Sequence, residues 1–168
     1  MYKIHYANVD DARILGEIHS KSWKVAYKGI VPEDILNNMS SEKRQRYFEK
    51  ALSEGWEEDA IIFKENIGVG LICIGKCRDE DKDNSYGEIW GIYLLPEYFN
   101  KGIGSKLIYW GLNELRNRNY KKITLWVLEE NTPARKFYEK IGFNHDGTVK
   151  EITIGKKLKE YRYVKIIE

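Results

Sequence analysis

Residues 89–116 constrain this chain more than any other stretch. Ile89-Trp90-Gly91-Ile92-Tyr93-Leu94-Leu95 is an apolar run of strand character that stops at Pro96. A loop with two glycines, Asn100-Lys101-Gly102-Ile103-Gly104-Ser105, follows at once. From Lys106 to Arg116 the spacing turns helical, with Leu107, Ile108, Gly111, Leu112 and Leu115 on one side. A strand, a loop that exposes its backbone and a helix that begins inside that loop make an anion site. The first N–H groups of a helix lack internal partners, and the helix dipole places partial positive charge there. Glycine at 102 and 104 lets the main chain approach a ligand with no Cβ in the way. The pattern predicts a ligand that carries phosphates.

Two familiar phosphate loops do not fit. A P-loop needs Gly-Lys-Ser/Thr, whereas Gly104 is followed by Ser105-Lys106 and has no glycine five residues before it. The dinucleotide pattern G-x-G-x-x-G fails because Leu107 stands in the third glycine's place. Gly-x-Gly alone also fits a tight turn that caps a helix.

The context goes further. A second strand, Lys122 to Leu128, leads into Glu129-Glu130-Asn131-Thr132-Pro133-Ala134-Arg135-Lys136-Phe137-Tyr138, and then Gly142-Phe143. Residues 84–143 resemble the GNAT-type N-acetyltransferase family, which moves an acetyl group from acetyl-coenzyme A to an amine. Two separate motifs agree in order and spacing: the pyrophosphate loop, and Asn-x-x-Ala-x-x-Phe-Tyr followed by Gly-Phe. The family loop is usually Gln/Arg-x-x-Gly-x-Gly/Ala, and its Gln/Arg position is Phe99 here. A loop that holds pyrophosphate mainly through backbone N–H groups can tolerate an aromatic there.

At 168 residues the chain suits one domain, expected over 1–168, rather than two. Its 42% hydrophobic and 32% charged residues are those of a globular protein. A net charge of +2 gives no bulk electrostatic case for nucleic acid as a partner. No run approaches the ~18 apolar residues of a membrane span. Met1-Tyr-Lys-Ile-His offers no signal-peptide core, so cytoplasmic residence is the default. Cys73 and Cys77 are four apart on an expected strand, too far for a comfortable disulfide, and no Cys or His pair completes a zinc site. No metal is expected, and both read as buried or half-buried side chains.

Along the chain, Tyr2–Ala7 alternates as a strand, and Asn8 or Asp10 can cap a helix over about 11–27. A short helix is expected over 32–36, with Pro32 in its first turn, and a third from Ser40-Ser41-Glu42 to about Leu52. Residues 59–65 and 67–77 read as a hairpin, and Arg78–Ser85 as a charged, solvated turn without the spacing of an EF-hand. Asn119 is a plausible helix stop, and 148–154 with 158–167 read as a final hairpin. The order β α α α β β β α β α β β is a mixed α/β domain with one mainly antiparallel sheet flanked by helices. The resemblance implies central strands that splay apart, with the pantetheine arm between them.

Acetyl transfer to an amine needs a neutral amine, a stabilised oxyanion and a proton for the leaving thiolate. An alkyl ammonium titrates near ~10, so something must take its proton, directly or through water. Glu88 resembles the family's strand glutamate and is the candidate base; it also reads as a solvent-facing strand carboxylate. Glu97 and Glu129 are weaker candidates. The backbone of Ile92, Tyr93 and Leu94 falls where the family holds oxyanion and pantetheine. Gly91 in mid-strand hints at a bulge or a close approach. Tyr138 matches the family's thiolate-protonating tyrosine, and a phenol with a pKa near ~10 suits that task; core packing beside Phe137 is its other reading. Asn131 caps its helix by type and position, and the matching family residue also touches the coenzyme. Phe137, Ile141 and Phe143 read as packing. His5, His19 and His145 are scattered, with His19 on an apolar stripe.

Trp23, Tyr27 and Trp56 are candidates for an aromatic acceptor pocket whose ring faces could hold a cation, or for core packing. The expected partners are acetyl-CoA as co-substrate and a small amine: a polyamine, an amino acid or an amine-bearing toxin. A protein N-terminus or lysine as acceptor, a non-catalytic acetyl-CoA sensor and a homodimer stay open.

Overall fold

A computed structural model describes residues 1–167; of the domain expected over 1–168, Glu168 alone lies outside the described residues. The elements are β1 (Tyr2–Tyr6), α1 (Ala12–Ala26), α2 (Glu33–Asn37), α3 (Ser41–Ser53), β2 (Glu58–Lys64), β3 (Ile67–Lys76), β4 (Tyr86–Leu94), α4 (Ile103–Asn117), β5 (Lys122–Leu128), α5 (Thr132–Ile141), β6 (Asn144–Thr153) and β7 (Lys157–Ile166). Two 3₁₀ turns, Val9–Asp11 and Pro96–Tyr98, join them. The seven strands form one sheet in the order β1-β2-β3-β4-β5-β7-β6. Every neighbouring pair is antiparallel except β4 and β5.

Both faces of the centre are covered, which is why β2 and β3 read as continuous apolar runs. Successive side chains point to opposite faces. Ile61 and Leu71 therefore join Leu15, Ile18 and Phe48 of α1 and α3. Their neighbours Ile62 and Ile72 join Ile103, Leu107, Leu112 and Leu115 of α4 on the other face. Gly111 lets α4 press onto β3, since a Cβ there would stand 2.7 Å from Ile72 Cδ1. No helix among the described residues is long and apolar enough to cross a membrane.

The helix order and strand order follow the sequence expectation, and the element ends move. α4 begins at Ile103, inside the glycine loop, rather than at Lys106. β4 begins at Tyr86, and β6 begins at Asn144 rather than Thr148, with an irregular register between His145 and Val149. Polar residues 144–148 carry no apolar alternation, and pairing with β7 makes them a strand. Asn8 caps the 3₁₀ turn, accepting from the Asp10 amide at 2.9 Å, and α1 starts after it. Pro32 is the residue before α2, not its first turn. Cys73 is buried, and Cys77 is half-buried just past β3. The acidic loop is only partly solvated: Arg162 on β7 holds Asp79 at 3.2 Å and Asp81 at 2.7 Å, and takes Asp146 from the next strand at 2.7 Å.

Candidate active site

The site begins where the sheet comes apart. β4 and β5 pair only at Tyr86↔Lys122, Gly87↔Ile123 and Glu88↔Thr124. Beyond these, β4 stays on β3 as far as Leu94 and β5 stays on β7 as far as Leu128. The implied splay is therefore present, and a slot opens between Ile89–Leu94 and Leu125–Leu128. The register of β3 against β4 slips between Cys73 and Ile74, so that Trp90 is the extra residue of a bulge beside Gly91. Gly91 also lets a ring lie close: a Cβ there would be 2.8 Å from Tyr93 Cε2. Ile92, Tyr93 and Leu94 are half-buried along the slot.

At the slot's end the chain turns through Pro96–Tyr98 and enters the glycine loop. Asn100 (φ 59°) and Gly102 (φ 80°) are both left-handed, and Gly102 directly precedes α4. The amides of Ile103, Gly104 and Ser105 are the first of α4, where no intrahelical acceptor exists. A Cβ on Gly102 would meet no atom within 4 Å, so this glycine serves the turn and leaves the approach open. Gly104 differs from expectation. Its Cβ position faces Phe137 Cζ at 3.4 Å and Leu94 Cδ1 at 3.6 Å, so its bare side looks into protein. The Lys101 ammonium lies 5.5 Å from the Tyr98 ring centre at the loop's rim, and Phe99 is half-buried.

On the far wall, Asn131 caps α5, accepting from the Ala134 amide at 3.4 Å, and Gly142 (φ 109°) ends the helix. Tyr138 on that helix is half-buried, its ring edge-on to Phe143 at 6.1 Å. Burial pushes its phenol up, and the nearby Tyr93 adds to the rise. Tyr138 also packs against the core cluster that α4 and the sheet share.

The α1 face of the sheet closes the other side. Trp23 and Tyr27 stand one helical turn apart, rings perpendicular at 4.6 Å, and His19 lies 4.8 Å from Tyr93 and 5.6 Å from Trp23. The Trp23 indole N–H is buried without a hydrogen-bond partner. Burial raises Tyr27 well above a normal phenol, and the neighbouring Tyr93, Tyr138 and Glu160 add to the rise. Glu160 comes from β7, opposite Leu128 and Lys150, with Lys150 Nζ at 3.7 Å. Burial raises its carboxyl too. One indole, one imidazole, three phenols and one carboxylate therefore come together from α1, β4, α5 and β7.

Glu88 is 1% exposed, not solvent-facing. Arg78 encloses it: the amide reaches Oε1 at 2.9 Å, Nε reaches Oε1 at 3.3 Å and Nη2 reaches Oε2 at 2.7 Å. The same guanidinium lies 4.2 Å over the bulged Trp90. Trp56 is not brought to Trp23 and Tyr27. It is exposed past the end of α3, with the Lys50 ammonium 5.5 Å from its ring. Glu97 is exposed, and Glu129 is half-buried, accepting from the Tyr161 hydroxyl. Arg78 and Glu160 were missed from sequence. Glu160 carried a faint signal, because Leu158, Glu160 and Arg162 share the inward face of β7, but Tyr27 lies far from it in the chain.

Comparison with known proteins agrees with this geometry. Residues 23–143 match the acetyltransferase (GNAT) family. The chain is 27% identical over 143 residues to an uncharacterised N-acetyltransferase, YuaI, of Bacillus subtilis, covering 83% of this chain and 78% of that one. It is 25% identical over 154 residues to a spermidine N(1)-acetyltransferase of Thermoplasma acidophilum, covering 87% and 90%. Among solved structures, the PaiA N-acetyltransferase of Thermoplasma acidophilum in complex with coenzyme A superposes with a TM-score of 0.76 at 22% identity, over 99% of both chains. The anion loop, the parted strands and the matched sequence together place this chain in the GNAT family of acetyltransferases.

Proposed function

We propose that this N-acetyltransferase transfers the acetyl group of acetyl-CoA to a primary amine of a small polycation, of which a polyamine is the best fit. The observation that carries this reading is the aromatic wall, where the rings of Trp23, Tyr27 and Tyr93 are joined through His19 and the Glu160 carboxylate is near enough to act on both Tyr27 and Tyr93. Aromatic faces and a half-buried carboxylate attract ammonium groups, and the Lys150 ammonium already sits 3.7 Å from Glu160. A relative named for spermidine acetylation supports the same class.

In this reading the amides of Ile103, Gly104 and Ser105 hold the pyrophosphate, with Asn100, Lys101 and Gly102 shaping the loop. Asn131 borders the coenzyme, and the free backbone edge of Ile92, Tyr93 and Leu94 lines its arm and the developing oxyanion. Tyr138 gives a proton to the departing thiolate. Glu88 is the acceptor of the ammonium proton, through water, and Arg78, which holds both of its oxygens, must yield one of them for that transfer.

A thermal-unfolding shift with acetyl-CoA, against ATP and NADH as controls, tests the first half. A ligand that binds only the folded state adds about 2.7 kcal/mol at a hundredfold excess over Kd. Thiol release scored over polyamines, amino acids and peptide N-termini tests the second, with polyamines expected to lead. Turnover confined to peptides would overturn the acceptor assignment.

A further inference from the structure

Away from the slot, the face of the sheet under α3 holds a cluster that the acetyl-transfer reading does not use. Glu57 directly precedes β2, Asp59 is that strand's second residue, and Asp59 sits directly across from Cys73 on β3. One ligand atom from each lies within 4.8 Å of the others. Cys73 Sγ is 3.4 Å from Glu57 Oε2. Asp59 is 1% exposed, and both of its carboxylate oxygens are buried with no hydrogen-bond partner. A buried carboxylate without donors is costly, and this one is aimed at two further acidic groups.

We propose that Glu57, Asp59 and Cys73 form a binding site for a divalent cation of the zinc class. In a tetrahedral zinc site, with Zn–S of about 2.3 Å and Zn–O of about 2.0 Å, sulfur and oxygen ligands stand about 3.5 Å apart. That matches the Cys73–Glu57 separation, and the unbonded Asp59 carboxylate is free to close the remainder. The Tyr47 hydroxyl donates to the second Glu57 oxygen and fixes how that ligand is turned. Charge also closes. Arg44 lies against Tyr47, 4.3 Å from its ring, with its Nε buried and unpartnered. Two carboxylates, one thiolate, one guanidinium and one dication sum to zero. Glu57 is only half-buried, so an ion can enter past it, and a fourth position stays open for water. These ligands form no Cys or His pair in the sequence, and Asp59 and Cys73 meet only through strand register.

The test is titration of the metal-free, reduced full chain with Co²⁺. Thiolate-to-cobalt absorption in the near ultraviolet, saturating at one ion per chain and erased by Zn²⁺, is expected. Cys73→Ser abolishes that absorption, Asp59→Asn weakens binding at least about tenfold, and Cys77→Ser leaves both unchanged. No absorption change in the wild-type chain at tenfold excess Co²⁺ overturns the proposal and means that protons alone occupy the cluster. Survival of the signal in Cys73→Ser, or its loss in Cys77→Ser, overturns it as well. The wild-type titration decides even where a variant fails to fold, which circular dichroism reports.

Discussion

His19 gives the sharpest test of how this interior is built. The imidazole is 6% exposed, sits among Trp23, Phe48 and Tyr93, and has a buried Nδ1 without a partner. Burial lowers its pKa from 6.5 to about 3, and the Arg44 charge helps. Above pH 6.5 folded and unfolded chains both carry a neutral ring, and the full stability is present. As pH falls, the unfolded chain takes a proton that the folded chain refuses, so stability is lost at about 1.4 kcal/mol per pH unit. Between pH 7.5 and pH 4.5 the loss is about 2.7 kcal/mol. Two other groups work in the opposite sense: burial raises Asp59 to about 9 and also raises Glu160, so both favour the fold as pH falls. The readout is therefore the difference between wild type and His19→Leu in urea unfolding at pH 7.5, 6.5, 5.5 and 4.5. The constant offset from the substitution is immaterial. The gap should shift by about 2.7 kcal/mol towards the variant over that range. Parallel pH curves would refute the reasoning and mean that His19 protonates within the fold.

Tyr138→Phe should lower kcat by about 10²–10⁴-fold while the thermal shift with acetyl-CoA is retained; unchanged turnover would remove the phenol from the chemistry. Glu160→Gln should raise KM for di- and polyamines severalfold and leave a simple monoamine nearly unaffected, as read by thiol release across chain lengths. Gly102→Ala meets no neighbour but must hold φ near 80°, so it should destabilise the chain by roughly 1 kcal/mol in urea unfolding.

What the sequence made legible is local. The glycine loop, the Asn131 cap and the apolar runs of β2 to β5 each announce themselves within a few residues. The ends of α4 and β6 do not. Ile103, Gly104 and Ser105 lack a helical stripe yet are drawn into α4 by the left-handed turn at Gly102. Asn144–Thr148 becomes strand only because β7 lies beside it. The site follows the same division. Tyr138 and Trp23 with Tyr27 were visible as residues on helices. Arg78 over Glu88, and Glu160 beside Tyr27, join positions whose proximity arises only from sheet order. Trp56 matched in residue type, but the turn after α3 carries it away from the pair on α1.

The brief meeting of β4 and β5 has a consequence for how this protein can change over time. A sheet that parts after three pairs carries two open edges in its middle, where ordinary sheets have none. Peptide groups on those edges have no strand to answer them, so an extended guest with amides of its own would complete the sheet as a strand does. Such recognition is written in main chain, which every residue but proline supplies alike. Side chains along the slot, such as that of Ile92, can therefore be exchanged while the main-chain edges that bound it stay the same.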